Sequence, residues 1–448
     1  MKKLLLGSTA LVVGGLMAAP AMAADPIKIG VGGYYTFYAE AGSISSTYAL
    51  NGQSVQYKGV NFIQEGEIHF IGQTKLDNGT SVGIRVELEG WNSAISTTAG
   101  NGSVRQIDEA YLFAFGDWGR VEFGSKDQAS YVMYYGAPSA LIGFGFIQHN
   151  SNFSWNNGVS SVVNKAFSRT TGQAIGFQFQ DVNRINYYTP RFAGLQIGVG
   201  YAPKINLAGS GPANLGSTCG FNDATTAVNC PTADYSWQDV WDIGANYLNK
   251  FGDVTVAAYG AYMYANFVPG FSPLASAANL TTGFNLAPWK QWVLGLQFGF
   301  AGFTLGGSVG YDNNGLGGNY YTGVDNDTRF AAVALMYETG PWQLSVGWTG
   351  SNNTNGNGSL SVGAFTPGTS AAVLNTPIST AQAFSQNPNN NGLVFGNETA
   401  QKFEFGANYA LGPGIKLTGG FVYYTQNGPS NAVVGSSWAA LMGMDFRF

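Results

Sequence analysis

Charge is the scarcest commodity in this 448-residue chain. Asp, Glu, Lys and Arg together make up 10% of it, against about 25% in an ordinary soluble domain. Twenty Lys and Arg are outnumbered by 25 Asp and Glu, so the basic stripe of a nucleic-acid binder is missing. Cysteine occurs twice, too seldom for a disulfide-built scaffold or most zinc-ribbon layouts. Beyond the leader no run of 18 apolar residues occurs, which argues against a bundle of membrane-crossing helices.

What is abundant sits awkwardly beside these absences. The chain has 64 glycines and is 14% aromatic, yet its mean hydropathy is −0.00. A long, aromatic, nearly uncharged chain must distribute its apolar residues by alternation. That pattern belongs to strands with one greasy face.

The first residues are a separate matter. Lys2 and Lys3 precede an apolar core from Leu4 to about Met17, followed by Pro20-Ala21-Met22-Ala23. A basic start, a short apolar stretch and an A-x-A site predict a secretory signal peptide over 1–23, removed on export. An N-terminal membrane anchor would need a longer apolar stretch. Residues 24–448 then form one domain.

Alternation runs through nearly all of that domain. Ile27, Ile29, Val31, Tyr35 and Phe37 alternate with Lys28, Gly30, Gly32 and Thr36. Ile68 and Phe70 alternate with Glu65, Glu67, His69 and Gln73. Past the Asp77-Asn78-Gly79 turn, Val82, Ile84, Val86 and Leu88 alternate with Gly83, Arg85, Glu87 and Glu89. The unit of strand, short turn, strand and long polar loop recurs as far as Trp438, Ala440, Met442, Met444, Phe446 and Phe448. Seven hairpins between a first and a last strand give sixteen, and even strand numbers are the rule for single-chain bacterial outer-membrane barrels. The polar face carries mostly Gly, Ser, Thr, Asn and Gln, unlike the charged outer face of a soluble sandwich. Aromatics such as Trp292, Tyr311, Trp342, Trp348 and Trp438 sit at strand ends, where interfacial girdles belong. The fold class is all-β: a sixteen-stranded antiparallel transmembrane barrel. Its long loops are expected near 41–59, 92–104, 125–183, 203–236, 265–289, 312–328, 350–398 and 425–436.

Two stretches carry a family resemblance: Gly119-Arg120-Val121-Glu122-Phe123-Gly124-Ser125-Lys126-Asp127 before the third loop, and Asn186-Tyr187-Tyr188-Thr189-Pro190-Arg191-Phe192-Ala193-Gly194 after it. With the barrel pattern around them they resemble the trimeric general porins of Gram-negative outer membranes, in their alphaproteobacterial and betaproteobacterial style. The resemblance implies a homotrimer in lipid and lipopolysaccharide, water-filled barrels, and a third loop (125–183) folded inward as a constriction. The terminal Phe448 resembles the signal read by the barrel-insertion machinery. Tyr131, Tyr134, Tyr135, Phe144, Phe146, Phe153 and Trp155 in that loop read as pins to the inner wall or as a stacking surface for solutes.

Porins of this kind set loop carboxylates against a basic cluster on the facing wall. This sequence departs from that plan. Asp127 and Asp181 are the loop's acids, beside Lys126, Lys165 and Arg169, while the wall carries Glu65, Glu67, Glu87, Glu89 and Asp108, with Arg85 among them and Arg184 further round. Asp108 is placed inward on the premise that Tyr111, Phe113 and Phe115 face lipid. Arg85 is expected to pair with a neighbouring glutamate. An excess of lumenal acid predicts a mildly cation-selective pore for passive diffusion of small hydrophilic solutes; the alternatives are a structural salt-bridge ladder without effect on ions, or a substrate-specific channel with its site at the constriction.

Cys219 and Cys230, in an exported loop, are expected to form a disulfide. The acidic run between Asp312 and Asp327 reads as a solvated loop, with hard-oxygen calcium binding the less favoured alternative; no cofactor is expected. No G-x-S-x-G, H-E-x-x-H or P-loop pattern appears, and His69 has no serine partner in view. Gly30-Val31-Gly32-Gly33 is glycine on a strand rather than a phosphate loop. Catalysis is not expected.

Overall fold

A computed structural model of the chain describes residues 26–48, 54–90, 107–141, 182–206, 236–268, 287–313, 326–359, 394–427 and 433–448. They form sixteen strands. The first eight are β1 (Lys28–Tyr48), β2 (Ser54–Lys75), β3 (Ser81–Glu89), β4 (Ile107–Gly116), β5 (Gly119–Lys126), β6 (Val182–Tyr188), β7 (Leu195–Asn206) and β8 (Ser236–Phe251). The second eight are β9 (Val254–Val268), β10 (Trp289–Phe300), β11 (Phe303–Asp312), β12 (Asn326–Thr339), β13 (Trp342–Ser359), β14 (Val394–Gly412), β15 (Ile415–Asn427) and β16 (Val433–Arg447). Each pairs antiparallel with its sequence neighbours, and β16 closes on β1. Closure leaves no strand edge with unpaired amides, the condition for strands to cross a bilayer. Phe448 completes the seam: its N–H donates to Gly33 O at 3.1 Å, and Gly33 N–H donates to Phe448 O at 3.0 Å.

Short turns gather at one end of the barrel and long connections at the other. Ala301 and Gly302, at φ 49° and 83°, form the two-residue loop between the paired Phe300 and Phe303. Positive φ at both positions is the turn whose twist suits a hairpin. At the long-loop end, β1, β2, β13 and β14 run further than hydropathy predicts, so loops one and seven are shorter than 41–59 and 350–398. Alternation fades there because Ser, Thr, Asn and Gly crowd the sequence of these stretches, while the backbone ladder continues without it.

The outward face is apolar around the ring. Trp241, Ile243, Leu294, Phe298, Leu305, Val346 and Phe405 are exposed, as are Phe37 and Phe421 on either side of the seam. A continuous apolar belt of this kind on a closed barrel is covered by lipid.

One strand reverses the expected faces. On β4, Tyr111 and Phe113 are buried inside the barrel, while Leu112 is 57% exposed on the outside. A bulge causes this. Leu88 pairs with Ile107, but Val86 pairs with Ala110, so β4 spends one residue more than β3 over the same span. The extra residue flips the phase of everything after it. The inward rings find cations: Arg120 lies 4.8 Å from the Phe113 centroid, and Lys126 Nζ lies 5.1 Å from that of Tyr111.

Candidate functional site

The third loop enters the barrel as soon as β5 ends. Glu109 receives Lys126 Nζ at 2.8 Å and the Asp127 backbone N–H at 3.0 Å, and Asn186 Nδ2 donates to Asp127 O at 2.8 Å. One helical turn follows, α1 (Ala129–Val132). Ser130 N–H donates to Asp242 Oδ2 at 2.7 Å, and the Tyr259 hydroxyl donates to Ser130 O at 2.6 Å. Further along, Asn246 Nδ2 donates to Met133 O at 3.0 Å and Tyr134 OH to Ser308 Oγ at 2.7 Å. Gln297 Nε2 then reaches Gly136 O at 2.7 Å, and Ala140 N–H reaches Ser345 Oγ at 2.9 Å. Ser139 bonds to Glu404, and Leu141 packs among Tyr38, Val422, Tyr424 and Leu441. The root of the loop is thus tied along the inner wall from β6 round to β14.

Glycines on that wall make the track. A Cβ on Gly244 would lie 2.9 Å from Ser130 Cα, one on Gly306 2.6 Å from Gly136 O, and one on Gly406 2.8 Å from Leu141 N. These distances are shorter than side chains tolerate, so the loop can lie flat only because the wall carries no side chain beneath it. Met133 and Tyr134 fill the remaining space against Tyr259, Met263 and Val293. Tyr134 meets Tyr259 edge-on at 5.2 Å. Tyr134 therefore acts as a pin, with its hydroxyl and its ring both engaged.

Under the loop, charge is paired and dry. Arg184 and Asp242 are 3.4 Å apart with side chains 1% and 0% exposed. Burial pushes the Asp127 carboxyl up to about 7; the Glu109 carboxylate adds to the rise, and the Lys126 ammonium and Arg184 guanidinium oppose it.

On β2 and β3 the arrangement is wetter. Glu67 and His69 point inward two residues apart, and His69 stands directly opposite Glu87. His69 Nε2 lies 2.7 Å from Glu67 Oε2 and 3.9 Å from Glu87 Oε2. Arg85 Nε is 2.5 Å from Glu87 Oε1, the expected pairing, and Arg85 Nη2 is 3.0 Å from His69 Nδ1. Tyr34 OH donates to the other Glu67 oxygen at 2.9 Å. Two carboxyl groups and an imidazole thus share a single guanidinium in this cluster.

The nine residues expected to line the pore thus divide into groups. Glu67, Arg85 and Glu87 come together on one wall, with Glu89 opposite Glu67 in the ladder and the Glu65 backbone opposite Thr36. Lys126, Asp127 and Arg184 belong instead to the loop root, where Arg184 is buried and Lys126 and Asp127 are half-buried. The premise that placed Asp108 inward fails, because Tyr111 and Phe113 face inward, but Asp108 follows the outward Ile107 and its charge acts on Asp127. Asp108 and Glu109 share the bulge opposite Glu87, and Glu109 is the carboxylate that engages Lys126. Sequence reasoning missed Glu109. The trace of the flip was Ile107 and Leu112, two apolar residues of opposite parity on one strand. The leader, Cys219 and Cys230, Asp181, and the loop-three aromatics from Phe144 onward lie outside the described residues. So does most of the acidic run after Asp312, whose carboxylate accepts from Trp289 Nε1 at 2.7 Å.

A closed sixteen-strand barrel with an apolar belt and a loop folded into its lumen defines a class: the β-barrel channels of bacterial outer membranes. Residues 7–429 match the Gram-negative porin family, and the chain belongs to it. It is an outer-membrane protein. Among curated relatives, an uncharacterised protein of Rickettsia conorii is 23% identical over 304 residues, covering 61% of this chain and 67% of that one. Another, from Rickettsia typhi, is 22% identical over 394 residues, covering 78% and 86%. Among solved structures, the anion-selective porin from Comamonas acidovorans overlays with a TM-score of 0.50 at 15% identity, covering 94% of this chain and all of that one. A loop-deletion form of OmpT from Vibrio cholerae gives 0.51 at 11% identity, covering 95% and 100%. The outer-membrane channel DcaP of Acinetobacter baumannii gives 0.50 at 13%, covering 94% and 98%. At these identities the likeness is one of fold.

Proposed function

We propose that the chain, after loss of residues 1–23, forms a water-filled pore for passive diffusion of small hydrophilic solutes, with a mild preference for cations. The observation that carries the selectivity is the β2–β3 cluster: Glu67 and Glu87 are answered by one guanidinium, in a part-wet site where field strength acts on passing ions. The loop root narrows the lumen and sorts solutes by size. The anion preference named for the Comamonas porin does not transfer at 15% identity, because selectivity resides in lining charges rather than in the barrel. Self-association as a homotrimer is part of this reading, supported by the trimer form in which the V. cholerae OmpT was solved. A Cys219–Cys230 disulfide and insertion directed by Phe448 complete it. Enzymatic activity has no place in it.

The test is the reversal potential across a planar bilayer in a KCl gradient. Wild type is expected to favour K⁺, and the Glu67→Gln, Glu87→Gln pair to lose most of that preference. A clear anion preference in wild type would overturn the reading. Saturable, solute-specific block would favour the substrate-specific channel instead.

A further inference from the structure

The β2–β3 cluster has the makings of a metal centre. Glu67, His69 and Glu87 each offer a ligand atom, and these atoms lie within 4.8 Å of one another. Tetrahedral zinc, with ligands at about 2.0–2.1 Å, needs donor atoms about 3.3 Å apart. The observed 2.7 and 3.9 Å bracket that spacing, so rotamer-scale adjustment suffices. The donors come from one face of a paired hairpin, with His69 and Glu87 directly opposite and Glu67 two residues away. Strand positions of this kind are held rigidly. Tyr34, bonded to the other Glu67 oxygen, supplies the outer support that orients a ligating carboxylate.

Arg85 decides when the centre is available. A guanidinium only donates, so His69 Nδ1 accepts from Arg85 Nη2. The ring proton is then on Nε2, donated to Glu67 Oε2. A metal needs the Nε2 lone pair. Binding therefore moves that proton to Nδ1, which can no longer accept from Arg85, and the guanidinium must leave. The proton stays on the ring, and one cation replaces another between two carboxylates. The Arg85 side chain is 31% exposed and can swing toward water.

We propose that Glu67, His69 and Glu87 form a lumenal site for a divalent transition-metal ion of the zinc class, gated by competition with Arg85. Imidazole with carboxylates suits such an ion better than calcium or magnesium, which take all-oxygen sites. The proposal rests on the reading of this wall as pore lumen, where a bound divalent ion would reduce monovalent cation current.

Equilibrium dialysis of the folded, detergent-solubilised chain against ZnCl₂ tests it. Wild type is expected to bind, and His69→Gln to weaken binding by about tenfold or more, as loss of an inner ligand should exceed the tenfold typical of an outer one. Arg85→Gln is expected to tighten it. Because Arg85→Gln keeps all three donors, its gain cannot come from misfolding. Zinc affinity unchanged in His69→Gln, or no tightening in Arg85→Gln, would overturn the site. A chain that conducts but shows no His69-dependent binding loses the metal site alone; one that binds zinc but never conducts loses the channel reading alone.

Discussion

Among the arginine–carboxylate pairs of this barrel, two stand in opposite settings. Arg184 and Asp242 lie beneath the loop root, 1% and 0% exposed, and Asp242 also caps the backbone of Ser130. Arg85 and Glu87 lie on the β2–β3 wall, 31% and 8% exposed, beside an imidazole and a second carboxylate. The chemistry is the same, but the water is not. In the dry pair each charge exists to neutralise the other and to hold a loop. In the wetter pair the guanidinium reaches solvent, and the proposed ion preference rests on that pair and its neighbours. The glycines follow the same division, since Gly244, Gly306 and Gly406 clear the wall where the loop lies.

The comparison breaks most visibly at Arg184. Arg184→Gln leaves the Asp242 carboxylate buried without its guanidinium, and breaking a buried pair this way costs about 3–5 kcal/mol. The midpoint of thermal unfolding should fall, and single-channel current should become noisy as Ser130 loses its anchor. A smaller effect is expected at Gly306→Ala, whose Cβ would meet Gly136 O at 2.6 Å. Overpacking of this kind costs about 1–3 kcal/mol. The loop would lift from β11, and a shift in mean conductance with the barrel intact would locate the strain there.

Much of this was legible beforehand, and the reasons for the exceptions are specific. Sixteen strands and their outward faces follow from alternation, because a barrel wall repeats one two-residue rule. Tyr111 and Phe113 escaped because the rule carries no marker for an inserted residue. The β3–β4 bulge shows only in the pairing of Leu88 with Ile107 and Val86 with Ala110. Glu109 was lost with them. The glycine excess was visible but its purpose was not. A glycine that makes room for Leu141 reads no differently from one that simply lines water, since the two meet only through a contact hundreds of residues apart. Arg184 looked like a lining charge for the same reason: sequence shows its type and face, not the loop that covers it.

Asp127 extends the comparison to pH. Its carboxyl is raised from 3.8 to about 7, chiefly by burial and secondarily by Glu109. The folded chain therefore holds this proton more tightly than the unfolded one does. The stability it contributes is fully present below about pH 4 and is lost as pH rises through about 7. Asp127→Asn should remove that component, so unfolding midpoints measured from pH 4 to 8 should fall less steeply than in wild type. An unchanged slope would place the titrating group elsewhere.

The smallest effect on stability should come from the wetter pair, where the effect on ions is clearest. Arg85→Gln removes a guanidinium that is 31% exposed from a carboxyl that is 8% exposed, so its cost should fall below the roughly 3–5 kcal/mol of a fully buried pair. The unfolding midpoint should fall less than in Arg184→Gln. The Arg85 substitution removes the one guanidinium of the β2–β3 cluster, so the reversal potential in a KCl gradient should shift toward K⁺. Adding salt should shrink the shift, because a half-wet charge is screened over a Debye length of about 10 Å at 0.1 M. A large loss of stability without a change in reversal potential would mean that Arg85 does the structural work of Arg184, and that the two walls differ only in appearance.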